Sequence, residues 1–188
     1  MTATAAARAQ VVAAGADPIW FLGTVARMKL TGDDTGGRFA LWEGVLPHGA
    51  APPLHSHPQD ETFYLLDGEL TAWLVAPEDA DGPDWVEACA RPCRPGAAIF
   101  APAGTPHSFR VESDTARMLF LSTPAGIEDY VRELGEPARW PWLQPPPDGP
   151  RVPPERVAEV EGRLGMVRHA PPPPQLTPPA RAPTGDGR

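Results

Sequence analysis

The 188-residue sequence has only two cysteines, no long apolar run and no excess of positive charge. Two cysteines exclude a disulfide-framed scaffold. Cys89 and Cys93 flank the turn residues Arg91 and Pro92, so a bridge between them is geometrically allowed and stays open. No segment approaches the roughly 18–20 apolar residues that span a bilayer, so no membrane partner is expected. The N-terminus, MTATAAARAQVVAAGAD, is rich in alanine but has no compact hydrophobic segment of a secretory leader, and Arg8 stands in its middle. It reads as a loose tail of a cytoplasmic protein. Lys and Arg number 16 against 24 Asp and Glu, a net charge of −8. Residues 141–188 hold six arginines and five acids, so the excess negative charge lies in residues 1–140. Such a body repels a phosphate backbone, which excludes nucleic acid as a partner, and the charge itself reads as solubility.

What the sequence does have is a concentration of metal-type ligands. The stretch Gly49 to Gly68, GAAPPLHSHPQDETFYLLDG, carries His55 and His57 two residues apart, which on an extended segment project from one face. Pro58, Gln59 and Asp60 turn the chain, and Glu61 opens the strand-like ETFYLL, so its carboxylate swings back toward the imidazoles. A second stretch, GAAIFAPAGTPH from Gly96 to His107, contributes a third histidine at the start of the strand-like HSFRVE. Three imidazoles and a carboxylate suit one divalent first-row transition metal per chain: Fe, Mn, Ni, Co, Cu or Zn. They also leave one or two coordination positions open, which is what separates a reactive site from a structural one.

Short strands separated by Gly and Pro turns fill the rest of residues 18–122, at 18–30 (with a bend at Gly23), 38–46, 85–90, 97–101, 106–112 and 116–122. Leu65 to Leu70 places Asp67-Gly68 between two apolar strands, a hairpin signal, and Pro77 to Asp84 reads as an acidic, solvated loop. This spacing indicates a sandwich or barrel. Thr123-Pro124 reads as a helix cap followed by proline, with Ile127, Tyr130, Val131 and Leu134 on one face; a second helix is expected at 153–164, with Val157, Val160 and Leu164 aligned. Fourteen of the 27 prolines lie in 141–188, and the end of the chain is poor in apolar residues, so it is expected to be disordered.

The first histidine stretch resembles cupin motif one without a gap: Gly49, five residues, His55-x-His57, three residues, Glu61, six residues, Gly68. The second resembles motif two through Gly96, Pro102-x-Gly104 and His107, and departs from it where Val111 replaces the usual asparagine, which leaves the ligand set intact. The phrases WFLGT, FYLLDGEL and TPAGIEDYVRELGEPA resemble the small bacterial cupins related to quercetin 2,3-dioxygenases. The resemblance implies an all-β double-stranded β-helix, or jelly-roll barrel, with short C-terminal helices. The organisation then reads as a flexible tail at 1–17, the barrel at 18–124, a helical extension at 125–168 and a proline-rich disordered tail at 169–188. It implies a homodimer, metal ligation by His55, His57, Glu61 and His107, and a small-molecule substrate that reacts with O2.

Inward parity puts Phe63 and Leu65 below Glu61, and Phe109 and Val111 on the face of His107, as candidate walls of an apolar pocket. Glu61 is both ligand and candidate general base. The expected activity is a dioxygenase acting on a flavonol-like or other enolisable aromatic or polyketide-type molecule. A non-redox isomerase or cyclase of secondary metabolism, and a non-catalytic small-molecule binder, are the competing readings, because this fold hosts many reactions.

Overall fold

The computed structural model describes residues 6–13, 17–80, 84–138 and 152–176. In chain order the elements are β1 (Pro18–Phe21), β2 (Thr24–Leu30), α1 (Gly32–Thr35), β3 (Ala40–Pro47), β4 (Leu54–Ser56), β5 (Asp60–Asp67), β6 (Leu70–Leu74), α2 (Trp85–Ala88), β7 (Ala90–Cys93), β8 (Ala98–Ala101), β9 (His107–Val111), β10 (Thr115–Thr123), α3 (Ile127–Leu134), β11 (Glu136–Pro137), α4 (Pro154–Leu164) and β12 (Val167–Ala170). They form two antiparallel sheets, a seven-stranded one in the order β11-β1-β2-β3-β10-β5-β8 and a five-stranded one in the order β12-β4-β9-β6-β7. The architecture is the expected all-β jelly roll with short helices.

Strict alternation explains why these strands face each other. In β3, Ala40, Trp42, Gly44 and Leu46 point inward; in β10, Ala116, Met118, Phe120 and Ser122 do so. Phe63, Leu65, Phe109, Val111, Met118 and Phe120 meet in one core cluster between the sheets. Each such side chain taken from water stabilises the fold by about 1.5–3 kcal/mol. Trp73, Leu54, Val75 and Trp85 make a second cluster, with the Trp73 indole N–H donating to the Val86 carbonyl at 2.7 Å.

Four local readings are corrected. The bent strand at 18–30 is a hairpin, β1 pairing with β2 from Pro18↔Arg27 to Phe21↔Thr24. Leu22 and Gly23 form its two-residue turn with φ +44° and +85°, both in the left-handed region that matches strand twist. The Asp67-Gly68 turn does not make a hairpin, because β5 pairs with β10 and β8 while β6 pairs with β9 and β7. It carries the chain from one sheet to the other, and Gly68 is required there: at φ +86° a Cβ would stand 2.3 Å from the Thr115 carbonyl oxygen. Of the strand expected at 85–90, Trp85–Ala88 are helical in α2, which buries Trp85 against Trp73, and only Ala90 is extended, as the first residue of β7. The helix expected to start at Thr123 starts at Ile127, since Thr123 is the last residue of β10 and pairs with Asp60.

The stretch expected to be disordered from residue 169 is ordered over its first eight residues. His169 Nε2 lies 2.9 Å from Ser56 Oγ, Ala170 pairs with Leu54 in β12, Pro173 is fully buried and accepts a hydrogen bond from Arg110, and Leu176 packs on the second cluster. The remainder of that tail lies outside the described residues. Ending the chain at Ala170 is therefore expected to cost about 1–3 kcal/mol of buried surface and to lower the melting temperature by about 3–8 °C. An unchanged melting temperature in differential scanning calorimetry would show that this contact contributes nothing.

Candidate metal centre

The four chemistry-bearing residues reach one point from three directions. β4 and β9 are adjacent strands on which His55 and His107 stand directly opposite each other, their rings 4.5 Å apart. β5 belongs to the opposing sheet, and the inward parity that buries Phe63 and Leu65 also turns Glu61 inside. His57 follows β4 by one residue and is buried with Glu61 and His107. The ligand atoms of His55, His57, Glu61 and His107 all lie within 4.8 Å of one another, a few tenths of an ångström beyond twice the ~2.0–2.2 Å bond that nitrogen and oxygen ligands make.

The orientation of the rings is set by the backbone. His55 Nδ1 lies 2.9 Å from the Pro53 carbonyl oxygen and His107 Nδ1 2.8 Å from that of Thr105, so each donates from Nδ1 to a carbonyl two residues upstream and leaves Nε2 for the cluster. Glu61 Oε2 lies 3.0 Å from His57 Nε2 and 3.2 Å from His107 Nε2. His107 thus has an acceptor against both ring nitrogens, whereas a neutral imidazole carries a single N–H. Either a second proton or a cation must sit between Nε2 and the carboxylate. A buried carboxylate facing three imidazoles in this way fits a divalent ion.

The cluster opens onto a cavity of about 250 Å³ lined by Phe21, Trp42, Phe63, Phe109 and Phe120 and by the polar side chains of Thr24, His55, Glu61, Tyr130, Glu161 and Arg168. Trp42 and Phe120 stack face to face with centroids 3.7 Å apart, and Phe63 meets Phe120 edge-on at 5.3 Å. Of the four expected wall residues, Phe63 and Phe109 are on the wall; Leu65 and Val111 share their parity but sit fully buried in the core beneath it. His48 bonds to the backbone of the Glu112–Ser113 turn, away from the cluster.

The family model for the cupin domain matches residues 42–124, the stretch that holds all four cluster residues. Residues 42–124 are a cupin domain. The chain is 31% identical over 105 residues to the quercetin 2,3-dioxygenase of Bacillus subtilis (strain 168), a match covering 55% of this chain and 28% of that protein, so the chain spans well under a third of its relative. Among solved structures, an RmlC-like cupin from Shewanella frigidimarina NCIMB 400 aligns with a TM-score of 0.50 at 16% identity over 66% of this chain and 97% of that one. The polyketide cyclase RemF from Streptomyces resistomycificus aligns with a TM-score of 0.49 at 19% identity, over 82% and 94%. At 16% identity the likeness to the Shewanella protein is one of fold.

Outside the cupin domain, the C-terminal extension supplies wall residues that the sequence reading did not single out. Tyr130 comes from α3, Glu161 from α4 and Arg168 from β12. The Tyr130 hydroxyl donates to Glu161 Oε1 at 2.8 Å, while Arg168 grips both carboxylate oxygens, Nε to Oε2 at 2.8 Å and Nη2 to Oε1 at 2.7 Å. Burial, reinforced by the Glu161 carboxylate, pushes the Tyr130 phenol well above its ordinary range, so it stays a donor at any working pH. A signal for Glu161 was present: it falls at i+4 from Val157 and one residue after Val160, a carboxylate on the buried face of its helix.

Protonation in the cupin site runs in one direction. Burial, with repulsion from His107, holds the His55 imidazole down at about 4. Burial alone would raise the Glu61 carboxyl, but hydrogen bonds from His107 and His57 outweigh it and hold it at about 2. Both groups are thus in their ligating form at neutral pH. In the unfolded chain His55 returns to about 6.5 and Glu61 to its ordinary carboxylate value. Between about pH 6.5 and 4 the unfolded state binds a proton at His55 that the folded state refuses, so acidification favours unfolding; Glu61 adds to the loss below that. The metal-free protein is expected to lose on the order of 2–3 kcal/mol from His55 between pH 7 and 4. Urea melts across this range check it; stability that is flat with pH would mean that His55 is not held neutral by its surroundings.

Among the described residues no helix is long and apolar enough to cross a membrane. Cys89 and Cys93 are both free thiols.

Proposed function

We propose that the protein is a metal-dependent cupin enzyme, a dioxygenase acting on a flavonol-like or other enolisable aromatic or polyketide-type molecule. The observation that carries this is the contact between an aromatic-walled cavity and the His/Glu cluster, with His55 and Glu61 on the cavity surface. The Bacillus subtilis quercetin 2,3-dioxygenase, similar over this stretch, supports the reaction type.

His55, His57, Glu61 and His107 would hold a divalent ion, which when bound would supply Lewis-acid stabilisation of a substrate anion and, if redox-active, access to O2 chemistry. The rest falls to the chain itself. The stacked Trp42 and Phe120 and the edge of Phe63 offer a flat, apolar slot for an aromatic ring. Phe109 and Pro53 add to the apolar lining of the same cavity. Glu61 uses Oε2 toward His57 and His107 and leaves Oε1 without a partner among the described residues, placed to take the proton of an enolic hydroxyl.

Oxygen uptake and product formation by iron-, manganese- and nickel-loaded protein, screened over flavonols and other enolisable aromatics, test the reading. Stoichiometric O2 consumption with ring opening is expected. Conversion without oxygen consumption would assign the chain to the isomerase or cyclase class instead, and binding without conversion would make it a small-molecule binder.

A further inference from the structure

The cavity has a second polar wall that the cluster chemistry does not use. Arg168 is the single Lys or Arg side chain lining the cavity among the described residues. It stands opposite His55 in the β12·β4 ladder, so the two side chains emerge on the same face of neighbouring strands. Its guanidinium is half exposed, yet fixed: Glu161 holds Nε and Nη2 in a two-point grip, and Glu161 itself is 9% exposed and pinned by Tyr130. The Glu161 grip uses two of the guanidinium's five N–H donors, and the Tyr130 hydroxyl lies against the same group, so donors remain for a further acceptor on the cavity wall. The strand pairing that places Arg168 runs from β12 into the strand that carries a cluster residue, which ties the extension to the site by backbone hydrogen bonds.

A free surface salt bridge would leave both partners in water. Here three elements, α3, α4 and β12, converge to hold one guanidinium beside an otherwise largely apolar slot. We infer that Arg168 is a second anchor for the ligand, receiving an oxygen acceptor of a compact aromatic molecule whose enolisable oxygen lies at the His/Glu cluster; Glu161 and Tyr130 are positioning residues that aim it. The substrate class narrows accordingly to aromatics with a further oxygen function remote from the enol and its adjacent keto group, a phenolic or carboxylate oxygen. This rests on the metal-enzyme reading and deepens it.

The test compares two flavonols by calorimetry on metal-loaded full-length protein: 3-hydroxyflavone, which offers only its enol and adjacent keto oxygens, and quercetin, which adds further ring hydroxyls. Removing Arg168 alone would leave Glu161 buried with one fewer partner, so the double variant Arg168→Met, Glu161→Gln is used beside the single Arg168→Lys. The double variant is expected to keep one ion per chain and its affinity for 3-hydroxyflavone, while the quercetin Kd rises about tenfold or more, the usual worth of a hydrogen bond to a charged group. Arg168→Lys, which keeps the charge but not the fork, is expected to fall between. Equal weakening of both ligands, or no change in either, would overturn the second anchor while leaving the metal-enzyme reading intact. Failure of the metal-loaded wild type to bind either compound would instead overturn the flavonol-type reading, and the anchor with it.

Discussion

The His57→Ala protein is expected to hold far less than one ion per chain and to show no measurable turnover. His57 is 3% exposed and its Nε2 lies 3.0 Å from Glu61 Oε2, so the imidazole is both a proposed ligand and the partner of a buried carboxylate. Alanine offers no lone pair, and no other side chain in the cluster is placed to replace it. Changing even an outer hydrogen-bonding partner of a ligand costs about 10–100-fold in metal affinity, and removal of the ligand itself is expected to cost more. Metal content and initial rate measured on the same samples across a metal titration give the answer. Full activity at full occupancy in this variant would remove His57 from the site.

Glu61→Gln separates two roles that one side chain is proposed to fill. The amide keeps the shape and one coordinating oxygen, but it removes the negative charge and the basicity. If Glu61 takes the substrate proton, turnover is expected to fall about 10²–10⁴-fold at saturating metal, the contribution of a positioned proton transfer. If it is a ligand alone, activity follows occupancy and returns when excess ion is supplied. The hydrogen bonds that hold Glu61 at about 2 come from His107 and His57, which are the same nitrogens a bound ion would engage. In the loaded protein those two N–H groups would no longer face the carboxylate, so the variant's turnover at saturating metal, and not the metal-free value, reports on Glu61 as a base.

The cluster was legible because its signal is local. His55, His57 and Glu61 lie within seven residues, and strand parity alone turns two of them to one side. His107 is joined to them by the β4·β9 pairing across 52 positions, which no periodicity reveals; its place at the head of a strand-like stretch after a Pro-x-Gly turn marks it as a candidate, and the resemblance of the second motif joins it to the first. Parity also placed Phe63, Leu65, Phe109 and Val111 inside, but it carries no information about depth, and depth is what separates Phe63 and Phe109 on the cavity wall from Leu65 and Val111 beneath it. Turn chemistry misled at Asp67-Gly68, where the glycine serves a crossing between sheets against Thr115, while the true hairpin turn at Leu22-Gly23 puts a leucine at positive φ. Arg168 was invisible because it acts through a strand added from the end of the chain, and nothing in its neighbours in sequence announces the pairing with His55.

The measurement that bears most directly on the account is elemental analysis of protein purified without chelator, together with the ion taken up by chelator-stripped protein. One divalent first-row transition ion per chain is expected, lost on His57→Ala and retained on Arg168→Lys. Protein that is consistently free of metal and refuses added ion would contradict the account at its centre.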